Sequence, residues 1–175
     1  MTVFKHFCGG AIIGSKLVIT AAHCFKFEYP DNTVIRAGDE YLNDPADDAT
    51  AKDYEINTIA NNKDYWGMEY DVALVYTVHP FEFNDRTKKV CIPQAPEDYN
   101  DDVMADKSVT LNGWGFENGT FSRQNDSLKE ASIQLFSKDF CDGFYPKYNS
   151  TIHLCAGNQV SFLYIPIYIV LILIT

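Results

Sequence analysis

Two residues in the first half of the sequence have side chains that could move a proton together, His23 and Asp71. His23 follows an apolar run and the small residues Ala21 and Ala22, which allow close backbone packing. Asp71 stands directly before the apolar run 72–75, where a buried carboxylate needs a hydrogen-bonding partner. A histidine is the partner that catalysis uses, because the carboxylate fixes the imidazole tautomer and stabilises the imidazolium. Taken alone, the histidine is more often structural and the aspartate is an ordinary turn residue.

The cysteines favour disulfides over a metal site. They stand at positions 8, 24, 91, 141 and 155 without any CxxC pair, whereas zinc sites usually show close pairs of Cys or His. Two disulfides and one remaining thiol suit an oxidising compartment. Cys24 could pair with Cys8, and closing so short a loop contributes about 3 kcal/mol in the chain-entropy model.

Composition and charge narrow the class of protein. The 175 residues are 46% hydrophobic and 14% aromatic, enough to bury a core, and this excludes a disordered chain. The formal net charge of −10 offers no basic face for nucleic acid. Proteins, small molecules or cations are therefore the expected partners. Three glycosylation sequons support a secretory route, and they begin at Asn118, Asn125 and Asn149. No apolar leader follows Met1, so we expect that the start of the chain is missing.

Short apolar runs separated by Gly, Pro, Asn and Asp predict an all-β fold, a barrel or a sandwich. Single helical turns are possible after Ala22 and around 137–141, and residues 93–106 resemble a connection between two halves. The predicted strands, or parts of strands, lie at 11–13, 16–19, 34–36, 71–75, 108–111 and 131–135.

The C-terminal stretch 160–174 carries no charge. It is shorter than the roughly 20 residues of a spanning helix, and Pro166 interrupts it. A buried strand pair is an equally favoured alternative. A third interpretation is a tail foreign to the domain, translated past the end of a coding exon.

Six segments, in this order, resemble the chymotrypsin/trypsin family of serine endopeptidases from about residue 6 to 157. They are His6-Phe-Cys8-Gly-Gly-Ala-Ile-Ile, Val18-Ile-Thr-Ala-Ala-His23-Cys24, Tyr70-Asp71-Val-Ala-Leu-Val75, Val90-Cys91-Ile-Pro93, Asn112-Gly-Trp114-Gly115 and Leu154-Cys155-Ala-Gly157.

The resemblance implies a double antiparallel β-barrel whose second barrel is truncated. The protease domain would cover 1–157, with the first barrel at about 1–95 and the partial second barrel at about 105–157, before a foreign hydrophobic tail at 158–175. His23 would be the general base and Asp71 its orienting carboxylate. The implied disulfides are Cys8–Cys24 and Cys141–Cys155. Cys91 matches a cysteine that bonds to the propeptide in some family members.

The sequence departs from the family at both ends. The family's Ile-Val-Gly-Gly-like start and first strand are absent before His6, and no Gly-Asp-Ser-Gly-Gly follows Cys155. Ser161 comes too early and lacks flanking glycines, so it is a poor nucleophile candidate. We therefore expect a serine endopeptidase lineage whose chain, as printed, does not hydrolyse peptides. The alternatives are a non-catalytic homologue that binds proteins and a form attached to a membrane by the tail.

The remaining expectations are weaker. The acidic stretch from Asp39 to Asp53 is predicted to be a solvated face, with a structural calcium ion as the less favoured alternative. No other cofactor is expected. His79 and His153 are predicted to be structural, and Trp114 is predicted to pack in the core. Expected partners are protein or peptide substrates and inhibitors, in a secreted or extracellular location.

Overall fold

Antiparallel strands form most of the regular structure, as the alternation of apolar runs and turn residues predicts. The structure is a computed structural model that describes residues 5–26, 33–43, 50–67, 69–92, 107–115, 126–143, 149, 152–157, 162–166 and 173–174. The described strands form one closed barrel and one four-stranded sheet. The prediction of an all-β, chymotrypsin-like fold is therefore confirmed.

The barrel is built mainly from the first half of the chain. Its strands are β1 Cys8–Gly14, β2 Leu17–Thr20, β3 Val34–Ala37, β4 Lys52–Asn61, β5 Ala73–Thr77 and β10 Leu173–Ile174. Their order around the barrel is β1-β10-β3-β4-β5-β2, with every pair antiparallel. A 3₁₀ helix at Ala22–Phe25 follows β2.

The barrel core takes one apolar side chain or more from each of the five long strands. Ile12, Val18, Ile35 and Val75 are almost completely buried. Every second residue of a strand faces the same side, so these positions place their side chains inward together. Phe25 of the 3₁₀ helix belongs to the same cluster, which anchors the helix to the barrel.

Strand β4 is absent from the sequence prediction. In Lys52–Asn61 only Tyr54 and Ile56 are buried, and the residues around them are polar. The strand also has a register shift against β5 between Ile56 and Thr58. Such an irregularity interrupts the two-residue alternation by which a strand is recognised.

The strands of the second sheet are β6 Ser108–Gly113, β7 Lys129–Leu135, β8 His153–Gly157 and β9 Phe162–Pro166. Their order in the sheet is β6-β7-β8-β9. A short helix, α1 at Lys138–Asp142, follows β7, and the Ser137 hydroxyl caps it by accepting the backbone N–H of Phe140. Both predicted helical turns are thus present.

The described parts of the C-terminal stretch are strands in both sheets. β9 pairs with β8 over five residues, and β10 lies between β1 and β3. The described residues of the stretch are therefore strands, but β9 and β10 lie in different sheets and do not form the predicted strand pair with each other. Within the described ranges, no helix is long and apolar enough to cross a membrane.

The barrel and the second sheet contact each other through the loop after β3. The carbonyl oxygen of Glu40 accepts the indole N–H of Trp114 at 3.0 Å and the backbone N–H of Leu128 at 2.8 Å. The backbone N–H of Leu42 donates to the carbonyl oxygen of Asp126 at 2.8 Å. Trp114 is buried, as predicted for a core residue, and it also joins the two units.

Candidate active site

His23 is positioned by the close approach of β1 and β2. A Cβ atom at Gly10 would lie 2.9 Å from both the Ile19 carbonyl oxygen and Val18 Cγ1, so only glycine fits there without a shift. The hydroxyl of Thr20 donates to the Gly9 carbonyl oxygen at 2.7 Å. Because the 3₁₀ helix begins two residues after Thr20, these contacts fix where His23 leaves the barrel.

Asp71 is positioned by the start of β5. Tyr70 before it has a φ of 52°, the left-handed region, and its carbonyl oxygen accepts the Val72 N–H at 2.8 Å. In the pairing of β2 with β5, Thr20 lies opposite Ala73. That register brings Asp71, two residues before β5, beside His23, three residues after β2, although 48 positions separate them in the sequence.

The two side chains form a paired contact. His23 Nδ1 lies 2.6 Å from Asp71 Oδ2, and the backbone N–H of His23 donates to Asp71 Oδ1 at 2.8 Å. The Asp71 side chain is 10% exposed and that of His23 is 58% exposed. An ionised carboxylate only accepts hydrogen bonds, so the neutral ring carries its proton on Nδ1. The other ring nitrogen, Nε2, therefore has a free lone pair that can accept a proton, and it belongs to an exposed side chain.

The Cys8–Cys24 disulfide lies beside this pair. Its two Cα atoms are 6.1 Å apart and join β1 to the 3₁₀ helix. Cys24 Sγ lies 3.7 Å from His23 Nε2. The disulfide thus fixes the backbone on the C-terminal side of His23, while β2 fixes the other side.

Tyr65 is a residue that the sequence did not indicate and that interacts electrostatically with Asp71. Burial raises the pKa of the Tyr65 phenol, and the negative charge of Asp71 raises the pKa further. The phenol accordingly stays neutral at physiological pH. Its position in the hairpin before Asp71 is visible only once the chain is folded, because no motif in the sequence includes it.

The other predicted residues lie elsewhere. Cys141 and Cys155 are bonded to each other and join α1 to β8, and Cys91 is an exposed free cysteine. His153 is buried, and its Nδ1 accepts the backbone N–H of Asn149 at 3.2 Å. His79 is exposed.

The sequons and the late serine are only partly covered by the structure. Asn149 is exposed, as glycosylation requires. Asn118, Asn125 and Ser161 lie outside the described residues.

The acidic stretch differs from its prediction at one end. Asp39 is buried rather than solvated, and its carboxylate lies 3.7 Å from the Arg36 guanidinium. Arg36 also bonds Asp53 through two nitrogens at 2.8 and 3.0 Å. The solvated-face interpretation is therefore wrong for Asp39, because this residue is buried. The charge of Arg36 offsets part of the free-energy cost of burying the Asp39 carboxylate.

Comparison of the sequence with known proteins places this chain in a family. The family model described as Trypsin matches residues 1–162. Transmembrane protease serine 9 of Rattus norvegicus is 28% identical over 87% of this chain and 14% of its own length. Coagulation factor XI of Bos taurus is 28% identical over 89% of this chain and 24% of its own length.

A third relative, Transmembrane protease serine 11G of Rattus norvegicus, is 31% identical over 87% of this chain and 35% of its own length. The chain thus spans about a third or less of the length of these relatives. The family match includes both His23 and Asp71 and every strand of the barrel except β10. This chain therefore belongs to the trypsin family of serine proteases.

Proposed function

We propose that this chain supplies the general base of a serine endopeptidase, with His23 as the base and Asp71 as its orienting carboxylate. The observation that carries the proposal is the double contact of Asp71 with the ring and the backbone of His23. In acyl transfer a base removes the proton of a serine hydroxyl as it attacks the peptide carbonyl. Nε2 of His23 keeps the lone pair that this step needs, and the His23 side chain is 58% exposed.

We further propose that the chain as printed does not hydrolyse peptides by itself. Acyl transfer also needs a positioned hydroxyl and donors that face the developing oxyanion. The 175 residues contain no Gly-Asp-Ser-Gly-Gly, and Ser161 is the only serine in the sequence after Cys155. Members of a catalytic triad act as a unit, so absence of the nucleophile removes nearly all of its contribution.

Covalent labelling with a fluorophosphonate tests both statements. We expect no labelling of the chain as printed. Labelling is expected when a Gly-Asp-Ser-Gly-Gly-containing family segment replaces residues 158–175 and a family-type N-terminal strand precedes His6. Stoichiometric labelling of the unmodified chain at Ser161, abolished by His23→Ala, would contradict the second statement. A folded chimaera that stays unlabelled would instead favour the protein-binding homologue.

We propose an extracellular location, with protein or peptide substrates and inhibitors as partners. Two disulfides support it, because they persist in oxidising compartments. The names of the relatives, a coagulation factor and transmembrane proteases, are consistent with it. Expression through a secretory pathway tests the location. We expect a glycosidase-sensitive mass at Asn149 that Asn149→Gln removes, and an unmodified Asn149 would contradict glycosylation at that position.

A further inference from the structure

Three residues that could bind a metal converge at one end of the barrel, and one of them is the proposed base, His23. Cys8, His23 and Cys24 each offer one ligand atom, and these atoms lie within 4.8 Å of one another. The predicted Cys8–Cys24 disulfide brings Cys8 beside His23, although the sequence contains no CxxC pair that would mark this group as a metal site. The fold creates it, because β1 places Cys8 against the 3₁₀ helix that carries the other two residues.

Asp71 contacts the His23 imidazole in the same way that a carboxylate contacts a metal-bound histidine. A histidine that binds a metal almost always donates its other ring N–H to a carboxylate or a carbonyl. Here Asp71 Oδ2 lies 2.6 Å from Nδ1, which leaves Nε2 on the side of Cys24 Sγ. The orientation of the ring therefore needs no change for Nε2 to become a ligand.

The nitrogen–sulfur distance between His23 and Cys24 matches tetrahedral zinc, whereas the sulfur–sulfur distance does not. With Zn–S bonds of about 2.3 Å and Zn–N bonds of about 2.0 Å, a tetrahedral site separates nitrogen from sulfur by roughly 3.6 Å. His23 Nε2 and Cys24 Sγ are 3.7 Å apart. The two sulfurs, now bonded to each other, would have to move to roughly 3.8 Å apart. Only reduction of the disulfide allows this movement, and only thiolates are good ligands.

We propose that reduction of Cys8–Cys24 turns this corner of the barrel into a zinc site made of both cysteine sulfurs and His23 Nε2. A dithiol reductant supplies two electrons, becomes a disulfide itself and leaves two cysteine thiols. One Zn²⁺ then displaces the two thiol protons, and water completes the four ligands.

Zinc bound to Nε2 takes the lone pair that the proposed base uses. Metal-bound and proton-accepting states of His23 therefore exclude each other, and reducing conditions with zinc would switch the base off. This consequence rests on the proposed function, whereas metal binding itself does not depend on it.

Cobalt(II) replaces zinc as a spectroscopic probe in the test. A Cys91→Ser background removes the exposed thiol. The protein is reduced with a water-soluble phosphine, which consumes one water and becomes a phosphine oxide. We expect a thiolate-to-cobalt charge-transfer band and tetrahedral d–d bands at one equivalent of cobalt, which zinc abolishes. The oxidised protein is expected to show no such bands.

Variants assign the ligands. Cys8→Ser with Cys24→Ser should abolish the bands, and Cys141→Ser with Cys155→Ser, the matched control pair, should keep them. Asp71→Asn should lower affinity about 10- to 100-fold, as for other partners of metal-bound histidines, and His23→Ala should lower it further. His23→Ala keeps all four cysteines of the two disulfides, so it remains informative if the serine variants misfold.

Two results would overturn the proposal: no bands in the reduced protein, or bands that His23→Ala leaves unchanged at the same cobalt affinity. The readout is metal binding, so it is independent of fluorophosphonate labelling. Failure of the zinc site and failure of the catalytic proposal can therefore be told apart.

Discussion

Asp71 binds His23 at two points, with Oδ2 2.6 Å from the ring Nδ1 and Oδ1 2.8 Å from the backbone nitrogen. One contact orients the ring and the other fixes the backbone that carries it. The same carboxylate thus controls both the tautomer and the position of the imidazole.

The tautomer of His23 should depend on Asp71. An asparagine offers an N–H₂ donor in place of one acceptor oxygen, so Asp71→Asn should move the neutral ring's proton from Nδ1 to Nε2. Imidazole ¹⁵N chemical shifts at a pH where the ring is neutral measure this. A ring that keeps its proton on Nδ1 in the variant would contradict the described contact.

Loss of the Asp71 carboxylate should also lower stability. Asp71→Ala removes a carboxylate that is 10% exposed, together with its two hydrogen bonds to His23. Hydrogen bonds to charged groups contribute about 1.5–3 kcal/mol each. We expect the free energy of unfolding in urea to fall by about 2 kcal/mol or more. Asp64→Ala, which alters an exposed carboxylate of the preceding hairpin, should change it by less than about 0.5 kcal/mol. Equal losses for the two variants would contradict the prediction.

The β1–β2 contact should not tolerate a methyl group at residue 10. Gly10→Ala places a Cβ 2.9 Å from backbone and from Val18 Cγ1, and such overpacking costs about 1–3 kcal/mol. Gly115→Ala is the matched control, because its Cβ would meet nothing within 4 Å. The urea midpoints of the two variants check this, and an unchanged midpoint for Gly10→Ala would show that the strands can separate without cost.

The pKa of Tyr65 should fall when Asp71 is neutralised. Burial raises this pKa first and the Asp71 charge adds to it, so Asp71→Asn should lower it while leaving it above the ordinary value of about 10. Since the folded pKa is raised, the stability that the neutral phenol contributes is complete below about pH 10 and is lost as pH rises through the folded value.

NMR titration of ring-labelled tyrosines, with Tyr65→Phe to assign the signal, measures this pKa. Glu69→Gln serves as the control, since only burial and the Asp71 charge raise the Tyr65 pKa. A Tyr65 pKa that responds equally to both substitutions would contradict the assignment to Asp71.

The indole of Trp114 should contribute to the joint between the barrel and the second sheet. Trp114→Phe removes its hydrogen bond to the Glu40 carbonyl oxygen, and we expect a loss of about 1 kcal/mol. The Glu40 oxygen keeps its bond from Leu128, so no acceptor is left without a donor. Trp66→Phe, at an 83% exposed position, should leave urea unfolding unchanged. A larger loss for Trp66→Phe would contradict the prediction.

Short strands could be predicted from the sequence where their apolar residues are consecutive, as in 16–19, or alternate, as in 131–135. β4 could not, since its two buried residues are Tyr54 and Ile56 among polar neighbours. Most residues of β4 are exposed to solvent, so their side chains need not be apolar. A half-buried strand with a register shift therefore has little pattern of its own.

The candidate site divides in the same way. His23 and Asp71 could be singled out because each stands at the end of an apolar run. The position of Tyr65 depends on strand pairing between distant segments, which local sequence does not encode. The convergence of Cys8 with His23, in contrast, follows from the predicted Cys8–Cys24 disulfide, because His23 directly precedes Cys24. The burial of Asp39 could not be predicted either, because an acidic stretch does not reveal which of its carboxylates faces Arg36 in the folded protein.

The rate of fluorophosphonate labelling in the chimaera tests the central claim most directly. The chimaera carries the Gly-Asp-Ser-Gly-Gly segment in place of residues 158–175 and the N-terminal strand described above. If His23 is the base and Asp71 orients it, His23→Ala should abolish measurable labelling. Asp71→Asn should reduce turnover of a peptide substrate by about 10⁴-fold through the wrong tautomer. A His23→Ala chimaera that is folded and labelled at the unsubstituted rate would contradict the account.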